Sequence, residues 1–492
     1  MLAQHRKPLL VFLLLLWTAG ALGAAPPRAF ARYLAECEKP TTEFFGIFLA
    51  NQKVGYMSSV CRFVDKSKTQ IRMETHMFMR VVVGAKEVSR EVGQVEVYEA
   101  KPKGKLLQVT VLMKGDGGEQ KLSGKRTAKG FEVVRERPGM PNDSLEPGAV
   151  LQNIEDANLP LLGFLQKAPL QGNQWDWTEF KSHRIETTMG KTQTRFVGGV
   201  HAPMQEVVLT SARDKLNVSY WFDEAGKLHE VELALGLRAL AQPEAVAKTL
   251  DKVDLFNLVR VVLPKALSIK ALQAPSVWNY TLKEFPQALA VSSPRQQFGP
   301  PKNGLQTLRV QALLPSHTQA TFPLGDPEAG KNLEATSQIE SKLPAVLSLA
   351  KKIVGKEKKA WAAAQKINQW VFKNIRKSYG ASADTTQLIL QQMKGDCTEH
   401  ALLATSLLRS LGIPARRVNG LVYAPQEEDV PALYWHQWVE VYVGQWVEMD
   451  PTFGEGVASA GHIALGRELE AQMVQGFGQI RIVDVQQEPP SP

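Results

Sequence analysis

The hydrophobic pattern of this chain changes its period once, and that change most restricts the folds open to it. From about residue 40 to 260, apolar and polar residues mostly alternate, as in strands with one face in water. From residue 343 apolar residues recur every three or four positions, as in "KKAWAAAQKINQWVFKNIRKSYG", which is typical of amphipathic helices. This order predicts an α+β chain with a large antiparallel β region at the amino-terminal side.

Two hairpins are predicted within the β region. The segment "TEFFGIFLANQKVGYMSSVCRFV" places two apolar strands around a polar turn, and "LNVSYWFDEAGKLHEVELAL" repeats the arrangement near residue 225. Further strand-like runs lie at 105–113, 130–136, 193–199 and 204–210. No motif in this region carries chemistry, so we interpret it as scaffold or binding surface.

Proline, glycine and serine are concentrated between residues 284 and 305, which predicts a domain boundary. The proline-bearing end "DVQQEPPSP" is expected to be disordered. The predicted organisation is a signal peptide at 1–24, antiparallel β structure at 25–290, a linker with strands at 291–340, an α+β domain at 341–480 and a disordered tail at 481–492.

The start of the chain has the layout of a cleaved secretory signal. Arg6 and Lys7 precede an apolar run at 9–17, and small residues follow at Ala21, Gly23 and Ala24. The run is short for a membrane span, although a retained anchor helix is the alternative. We therefore expect a periplasmic or secreted protein whose mature chain has no stable membrane insertion.

Composition excludes wholesale disorder, because 44% of the residues are hydrophobic and 22% are charged. The formal net charge is +9, but the basic residues are scattered. Their one local cluster, "KKIVGKEKK" at 351–359, also contains a glutamate, which is typical of a solvated helix face. No nucleic-acid partner is expected.

The chain has three cysteines. In an oxidising compartment Cys37 and Cys61 can form a disulfide across a predicted hairpin. Cys397 is then left unpaired, and an unpaired thiol in an exported protein is either buried or functional.

The surroundings of Cys397 favour a functional thiol. Asp396 is a good N-cap and Glu399 has the spacing of a capping box, while Gly412 and Pro414 end the predicted helix. Cys397 therefore occupies the first helical position, where the free N–H groups and the positive end of the helix dipole favour a thiolate.

A thiolate nucleophile needs a base and a group that orients the base. His436 opens the alternating strand "HQWVEVYV", and Asp450 lies near the end of the following strand. A two-residue turn at 444–445 would put Asp450 on the wrong face. A three-residue loop or a bulge would set Asp450 opposite Trp438 and diagonal to His436, within reach of a hydrogen bond. We predict this odd register.

His400, three residues after Cys397, raises the alternative of a metal pair. No second Cys/His pair with ligand spacing is present in the sequence. We expect neither a metal nor a cofactor.

The segments "GDCTEHALLATSLLRSLGIPARRVNG" and "HQWVEVYVGQWVEMDPTFG", with the helix before them, resemble the transglutaminase-like superfamily in an exported bacterial form. The resemblance covers about residues 343–456 and not the β region. It implies a papain-related α+β domain in which Cys397 is the nucleophile, His436 the general base and acid, and Asp450 the orienting carboxylate. The flanking immunoglobulin-like domains and calcium-binding carboxylate clusters of animal crosslinking enzymes are not recognisable.

Three functions are compatible with these residues. The favoured one is a cysteine peptidase or amidase that cleaves a protein or peptide substrate through a thioester. The second is a protein-glutamine acyltransferase, and the third is a non-catalytic binding module on the same fold. The loop "APQEEDVPALYW" either borders the cleft, with Trp435 as a wall, or is a surface loop with one packed tryptophan.

Overall fold

The computed structural model describes residues 27–83, 86–115, 118–137, 142–145, 151–176, 181–197, 200–212, 217–233, 237–336, 338–378, 383, 385–424, 430–467 and 478–489. The predicted signal peptide lies outside these ranges. The chain divides between Asp254 and Leu255 into two compact units. The fold is α+β, as the change of hydrophobic period predicts.

The amino-terminal unit is built on one sheet of fourteen strands, in which every pair of neighbours is antiparallel. Its order is β8-β7-β6-β5-β4-β3-β2-β1-β14-β13-β12-β11-β10-β9. The strands are β1 Glu43–Leu49, β2 Gln52–Phe63, β3 Gln70–Val83, β4 Lys86–Glu99, β5 Leu106–Gly115, β6 Gly118–Thr127, β7 Gly130–Glu136, β8 Asp143–Leu145, β9 Leu170–Asp176, β10 Lys181–Val197, β11 Val200–Ser211, β12 Asn217–Phe222, β13 Leu228–Leu233 and β14 Leu237–Ala241.

Alternation along these strands buries one face of the sheet. In β1, for example, Phe45, Ile47 and Leu49 are at most 1% exposed, as period two requires. Because β1 pairs with both β2 and β14, it joins two runs of sequential antiparallel strands into a single sheet.

Short helices accompany the sheet of the amino-terminal unit. They are α1 Pro27–Glu38, α2 Leu159–Gln166, α3 Glu244–Lys248 and a 3-10 turn at Asp156–Asn158. In α1, Phe30, Tyr33 and Cys37 recur at helical spacing and are buried. Cys37 forms a disulfide with Cys61 of β2, so the predicted pairing is confirmed.

The carboxy-terminal unit has seven helices in its described part. They are α4 Leu255–Val259, α5 Ile269–Leu272, α6 Pro327–Gly330, α7 Pro344–Val354, α8 Ala360–Asn374, α9 Thr386–Gln392 and α10 Cys397–Ser410, with 3-10 turns at Gln287–Leu289 and Lys331–Leu333. Helix α10 packs against α7 and α8, and eleven of its fourteen residues are buried. It is therefore the central helix of this unit.

Two antiparallel sheets and one parallel pair of strands form the described β structure of the carboxy-terminal unit. The strands are β15 Val261–Val262, β16 Ser276–Lys283, β17 Gln296–Phe298, β18 Leu305–Ala312, β19 Arg376–Lys377, β20 Lys394–Gly395, β21 Ala415–Tyr423, β22 Ala432–Tyr442, β23 Trp446–Met449, β24 His462–Arg467 and β25 Arg481–Gln487. The order β15-β22-β21-β24, with β23 also on β22, forms a five-stranded sheet against which α10 packs. A four-stranded sheet has the order β17-β18-β16-β25, and β19 pairs with β20 in parallel.

The predicted boundary near residue 290 is wrong. The division lies at 254 and 255. The segment interpreted as a linker with strands contains β17 and β18, which pair with each other. Its prolines and glycines occupy turns between strands of one sheet, and such turns have the same composition as a linker.

The prediction of disorder from residue 481 is also wrong. Residues 481–487 form β25, which pairs with β16, and Ile482 and Val485 are 7% and 0% exposed. The short alternation in "RIVDVQQ" specifies an edge strand even though prolines follow it. Within the described ranges no helix is long and apolar enough to cross a membrane.

Candidate active site

Cys397 begins α10, directly after the short strand β20. Asp396 Oδ1 accepts the backbone N–H of Thr398 at 2.9 Å, and the N–H of Asp396 donates to Glu399 Oε2 at 2.8 Å. The predicted capping box is therefore confirmed. A Cβ on Gly395 would lie 2.2 Å from Cβ of Glu399, so glycine is required there. The thiol of Cys397 is free and partly exposed.

The hairpin of β22 and β23 has the odd register that the sequence analysis predicts. Tyr442 opposes Trp446 and Val439 opposes Met449, which leaves residues 443–445 as a three-residue loop. Gly444 in this loop has a φ of +94°, a conformation that glycine adopts without strain. Asp450, the next residue after β23, is consequently brought to the face of His436.

His436 lies between Asp450 and Cys397. Its Nε2–H donates to Asp450 Oδ2 at 2.7 Å. Burial alone would lower the pKa of His436, but the negative charges of Asp450 and Cys397 and hydrogen bonding to both outweigh burial and raise this pKa to about 10.

Asp450 is fully buried and held on both of its oxygens. Oδ1 accepts the backbone N–H groups of Thr452 at 2.7 Å and Phe453 at 3.2 Å. Burial would raise the pKa of the Asp450 carboxyl, but the positive charge of His436 and the hydrogen bonds from His436 and His462 hold it well below its usual value. The geometry thus favours an ionised Asp450 beside a protonated His436.

Sequence reasoning missed His462, the first residue of β24. Its Nε2–H donates to Asp450 Oδ2 at 3.0 Å, and its Nδ1 lies 3.1 Å from Ser459 Oγ. His462 is completely buried. It opens β24, whereas His436, which the sequence analysis places at the start of a strand, lies inside β22. Because β24 joins the sheet beside β21 and not beside β23, no sequence spacing relates His462 to Asp450.

Arg295 fixes the backbone beneath this group. Its guanidinium donates to Glu448 Oε2 at 2.8 Å and to the backbone oxygens of Ser459 and His462 at 2.8 and 3.0 Å. Glu448 Oε2 also accepts the indole N–H of Trp438 at 2.8 Å. Arg295 therefore joins Glu448 of β23 to the turn before β24, the strand that carries His462.

Phe453 and Lys377 form an exposed wall next to His436. The rings of Phe453 and His436 stack with centroids 4.9 Å apart and planes 12° apart, and Phe453 is 37% exposed. Nζ of Lys377 lies 5.5 Å from the centre of the Phe453 ring and 5.4 Å from that of Phe372. An ammonium group is thus held by two aromatic faces, one of which stacks on His436.

Trp435 has a packing role in the structure. Its indole N–H donates to the backbone oxygen of Val259 at 2.7 Å, and its ring packs against the apolar core of the unit. This contact favours the packed-tryptophan interpretation of the loop before His436. Residues 425–429 of that loop lie outside the described residues.

His436, Asp450 and His462 also have the side-chain types of a metal site, with candidate ligand atoms within 4.8 Å of one another. Two ligands about 2.0–2.1 Å from a tetrahedral zinc ion lie about 3.3 Å apart. The 2.7 Å between His436 and Asp450 is shorter and corresponds to a charge-assisted hydrogen bond. The His436 and Asp450 atoms as arranged therefore do not fit a tetrahedral zinc ion. His400 is not one of these candidate ligands. Its Nδ1 lies 2.7 Å from the backbone oxygen of Asp396.

Comparison with known proteins identifies the domain that carries Cys397, His436 and Asp450. The model of the transglutaminase-like superfamily matches residues 347–451. An uncharacterized protein of Mycobacterium leprae is 35% identical over 66 residues, which are 13% of this chain and 24% of that protein. The chain thus spans about a quarter of the length of this relative.

Solved structures are similar to parts of the chain. One, described as a "putative cysteine protease" from Cytophaga hutchinsonii, is 18% identical, with 44% of this chain and 86% of that chain covered and a TM-score of 0.29. A structure described as a TGase is 14% identical, with 39% and 50% covered and a TM-score of 0.18. A beta-barrel-like protein from Brucella abortus is 11% identical, with 41% and 95% covered and a TM-score of 0.31. By the family match, residues 347–451 are a transglutaminase-like domain.

Proposed function

We propose that this chain is a transglutaminase-like thiol enzyme that acts on amide or peptide bonds, as a cysteine peptidase or amidase. The observation that carries the proposal is the position of His436, which donates to Asp450 and whose pKa is influenced by Cys397 at the start of α10. This supports the assignment of Cys397, His436 and Asp450 as nucleophile, base and orienting group, the order that covalent catalysis requires.

In the first half of the proposed reaction, the Cys397 thiolate attacks the carbonyl carbon of the substrate. The backbone N–H of Cys397, at the positive end of α10, is the donor that we assign to the developing oxyanion. The C–N bond then breaks, the departing nitrogen takes the proton from His436, and the acyl group remains on sulfur as a thioester.

In the second half, His436 acts as the base. It removes a proton from water, the oxygen attacks the thioester, and the C–S bond breaks to release a carboxylic acid and regenerate the thiolate. The same steps with a primary amine in place of water would release a new amide. Asp450 stabilises the imidazolium in both halves and keeps the ring oriented.

We also propose that the protein is exported, to the periplasm or outside the cell. The signal-like start of the sequence supports this, and so does the disulfide between Cys37 and Cys61, since disulfides persist mainly in oxidising compartments. Amino-terminal sequencing of the protein recovered from a periplasmic or culture fraction tests it. An uncleaved start in a cytoplasmic fraction would contradict export.

The catalytic proposal is tested with a glutamine-containing peptide and a primary amine, followed by mass spectrometry. Hydrolysis predicts peptide cleavage or a gain of one mass unit at glutamine, whereas acyl transfer predicts incorporation of the amine. Cys397→Ala should abolish either product. Ser410→Ala, at the other end of the same helix, should leave the products unchanged. If Cys397→Ala reacts like the unmodified protein, Cys397 is not the nucleophile.

A further inference from the structure

Helix α8 carries three amide side chains that donate to the backbone of one short segment. They stand at 365, 368 and 369, a spacing that puts side chains on one face of a helix. Their bonds to backbone oxygens join Gln365 to Gly456 at 2.9 Å, Asn368 to Glu455 at 3.1 Å and Gln369 to Gly454 at 2.8 Å. We refer to these three amide residues as the amide row.

The segment at 454–456 comes too close to α8 for larger residues at its two ends. A Cβ on Gly456 would collide with Gln365 Oε1, and a Cβ on Gly454 would lie 2.8 Å from the ring of Phe372 in the same helix. Gly454 also has a φ of +71°, a conformation that favours glycine. Since two of its three residues have no side chain, the hydrogen bonds to the amide row are the polar contacts that place this segment against α8.

The same segment closes a turn on the proposed orienting carboxylate. The N–H of Asp450 donates to the backbone oxygen of Glu455 at 2.9 Å. That oxygen also accepts from Asn368, which is completely buried. The backbone of Asp450 is therefore linked to α8 through one carbonyl group.

Phe453 lies inside this turn, directly before Gly454. Its N–H donates to Asp450 Oδ1 at 3.2 Å, and its ring stacks on His436 with centroids 4.9 Å apart. On the other side of Phe453, the backbone oxygen of Gly454 is held by Gln369. The bond from Gln369 thus fixes the residue that follows the stacked ring.

Gln369 and Gly454 are both half-buried. When the amide is removed, water can take its place on the Gly454 oxygen, so we expect little loss of stability. Water does not hold that oxygen at one distance from α8, however, and a small misplacement near a reacting group can lower a rate roughly 100-fold. The contribution of Gln369 should therefore appear in the geometry around His436 more than in the melting temperature.

We propose that the amide row consists of positioning residues for the proposed reaction. Gln369 holds the ring of Phe453 against His436 by fixing the next residue. Asn368 holds the backbone of Asp450. The inference rests on the proposed function, because this positioning affects a reaction only if His436 is the base.

Two variants of Gln369 separate the hydrogen bond from the space that the side chain fills. Gln369→Met keeps the length of the side chain but has no donor, and it should lower the rate of Cys397 alkylation by iodoacetamide about tenfold. Gln369→His retains an N–H donor and should recover most of that rate. Gln319→Met, the same change at an exposed glutamine of this unit, is the matched control and should leave the rate unchanged.

NMR of the full chain with labelled histidine rings reports the position of the Phe453 ring. A stacked aromatic ring shifts the resonances of the protons that lie over its face, so Phe453→Leu defines the shift that Phe453 causes at His436. His436→Asn identifies the resonance by its loss. Gln369→Met should move this resonance toward its position in Phe453→Leu, and Gln369→His should move it less.

A His436 resonance that stays in place in folded Gln369→Met would overturn the proposal. So would equal alkylation rates in Gln369→Met and Gln369→His. If Gln369→Met does not fold, Gln365→Met decides, because loss of the bond to Gly456 should move the same resonance in the same direction, and no movement would overturn the proposal. The resonance does not depend on turnover, so this failure differs from failure of the proposed function, which would appear as unchanged products in Cys397→Ala.

Discussion

His462 donates its Nε2–H to Asp450 at 3.0 Å, on the same Oδ2 atom that accepts the Nε2–H of His436 at 2.7 Å. The second histidine is itself anchored, because its Nδ1 lies 3.1 Å from Ser459 Oγ. The carboxylate of Asp450 is thus fixed by groups on every side, and its orientation toward His436 does not depend on His436 alone.

We therefore expect His462 to act as a positioning residue. His462→Leu should slow the alkylation of Cys397 by iodoacetamide roughly 100-fold, the size of effect that a small misplacement of a reacting group produces. The pH profile of that rate should shift as well, because Asp450 would stabilise the protonated form of His436 less well.

The conservative variant separates positioning from packing. Glutamine retains an N–H donor, so His462→Gln should recover a substantial part of the rate that His462→Leu loses. His201→Leu, which removes an exposed histidine of the other unit, is the control and should have no effect. Equal rates in His462→Leu and the unmodified protein would show that Asp450 needs no second donor.

Lys377 should favour anionic reagents at Cys397. Its ammonium group is held above Phe453, which stacks on His436, so one positive charge lies beside a ring that contacts the proposed base. We expect Lys377→Gln to lower the ratio of the iodoacetate to the iodoacetamide rate about threefold, the size expected for one partly screened charge. The iodoacetamide rate itself should hardly change.

Mass spectrometry gives both rates at a single position, because the other two cysteines form a disulfide. Lys331→Gln, which removes a lysine that is 70% exposed beside Glu328, is the matched control. A ratio that is the same in both variants would exclude a role for Lys377 in selecting charged substrates.

The contribution of His436 to stability should fall as the pH rises. The pKa of His436 is about 10 in the folded protein and about 6.5 in the unfolded chain. The stabilisation is therefore fully present below about pH 6.5 and is lost progressively towards pH 10. Asp450 has the opposite sign, because its pKa is lowered by folding and its contribution disappears in acid.

The measurement is the difference in unfolding free energy between the unmodified protein and His436→Asn at a series of pH values. We expect this difference to be largest between about pH 4 and 6.5 and to shrink through pH 10. A difference that grows over the alkaline range would mean that His436 is neutral in the folded protein.

Sequence patterns within one helical turn or one hairpin predicted those features of the site that depend on neighbouring residues. The capping box at Asp396 and Glu399 follows from spacing within one helical turn, and the odd register of Asp450 follows from the pleat of a single hairpin. His462 could not be found in this way, since it comes near Asp450 only through the order of strands in the sheet. Arg295 is a similar case, since it pairs with a residue 153 positions away.

The domain boundary was misplaced because it also depends on which strands pair in a sheet. A run of prolines and glycines indicates where the chain turns, but it does not tell whether the strands on either side pair with each other. In this protein they do, since β16 and β17 both pair with β18. The choice of pairing partner for each strand thus determines both the boundary and the position of the second histidine.

The ion pair of Arg295 and Glu448 should be among the most sensitive sites in the carboxy-terminal unit. The two side chains are 6% and 1% exposed, so Arg295→Met leaves a buried carboxylate with fewer partners and should cost about 3–5 kcal/mol. Arg309→Met, at the exposed pair with Glu488, should cost less than about 1 kcal/mol. Hydrogen exchange of the β22 and β23 amides, followed by mass spectrometry, measures both losses within this unit.

The double variant Arg295→Met with Glu448→Met makes the prediction specific to charge. Removing both ions relieves the unpaired charge that either single variant leaves, so the double variant should be destabilised by less than the sum of the two. Additive losses would mean that the packing around Glu448, including the hydrogen bond from Trp438, and not the ion pair, supports β23. Because Asp450 directly follows β23, the destabilised single variants should also lose Cys397 reactivity, whereas Arg309→Met should not.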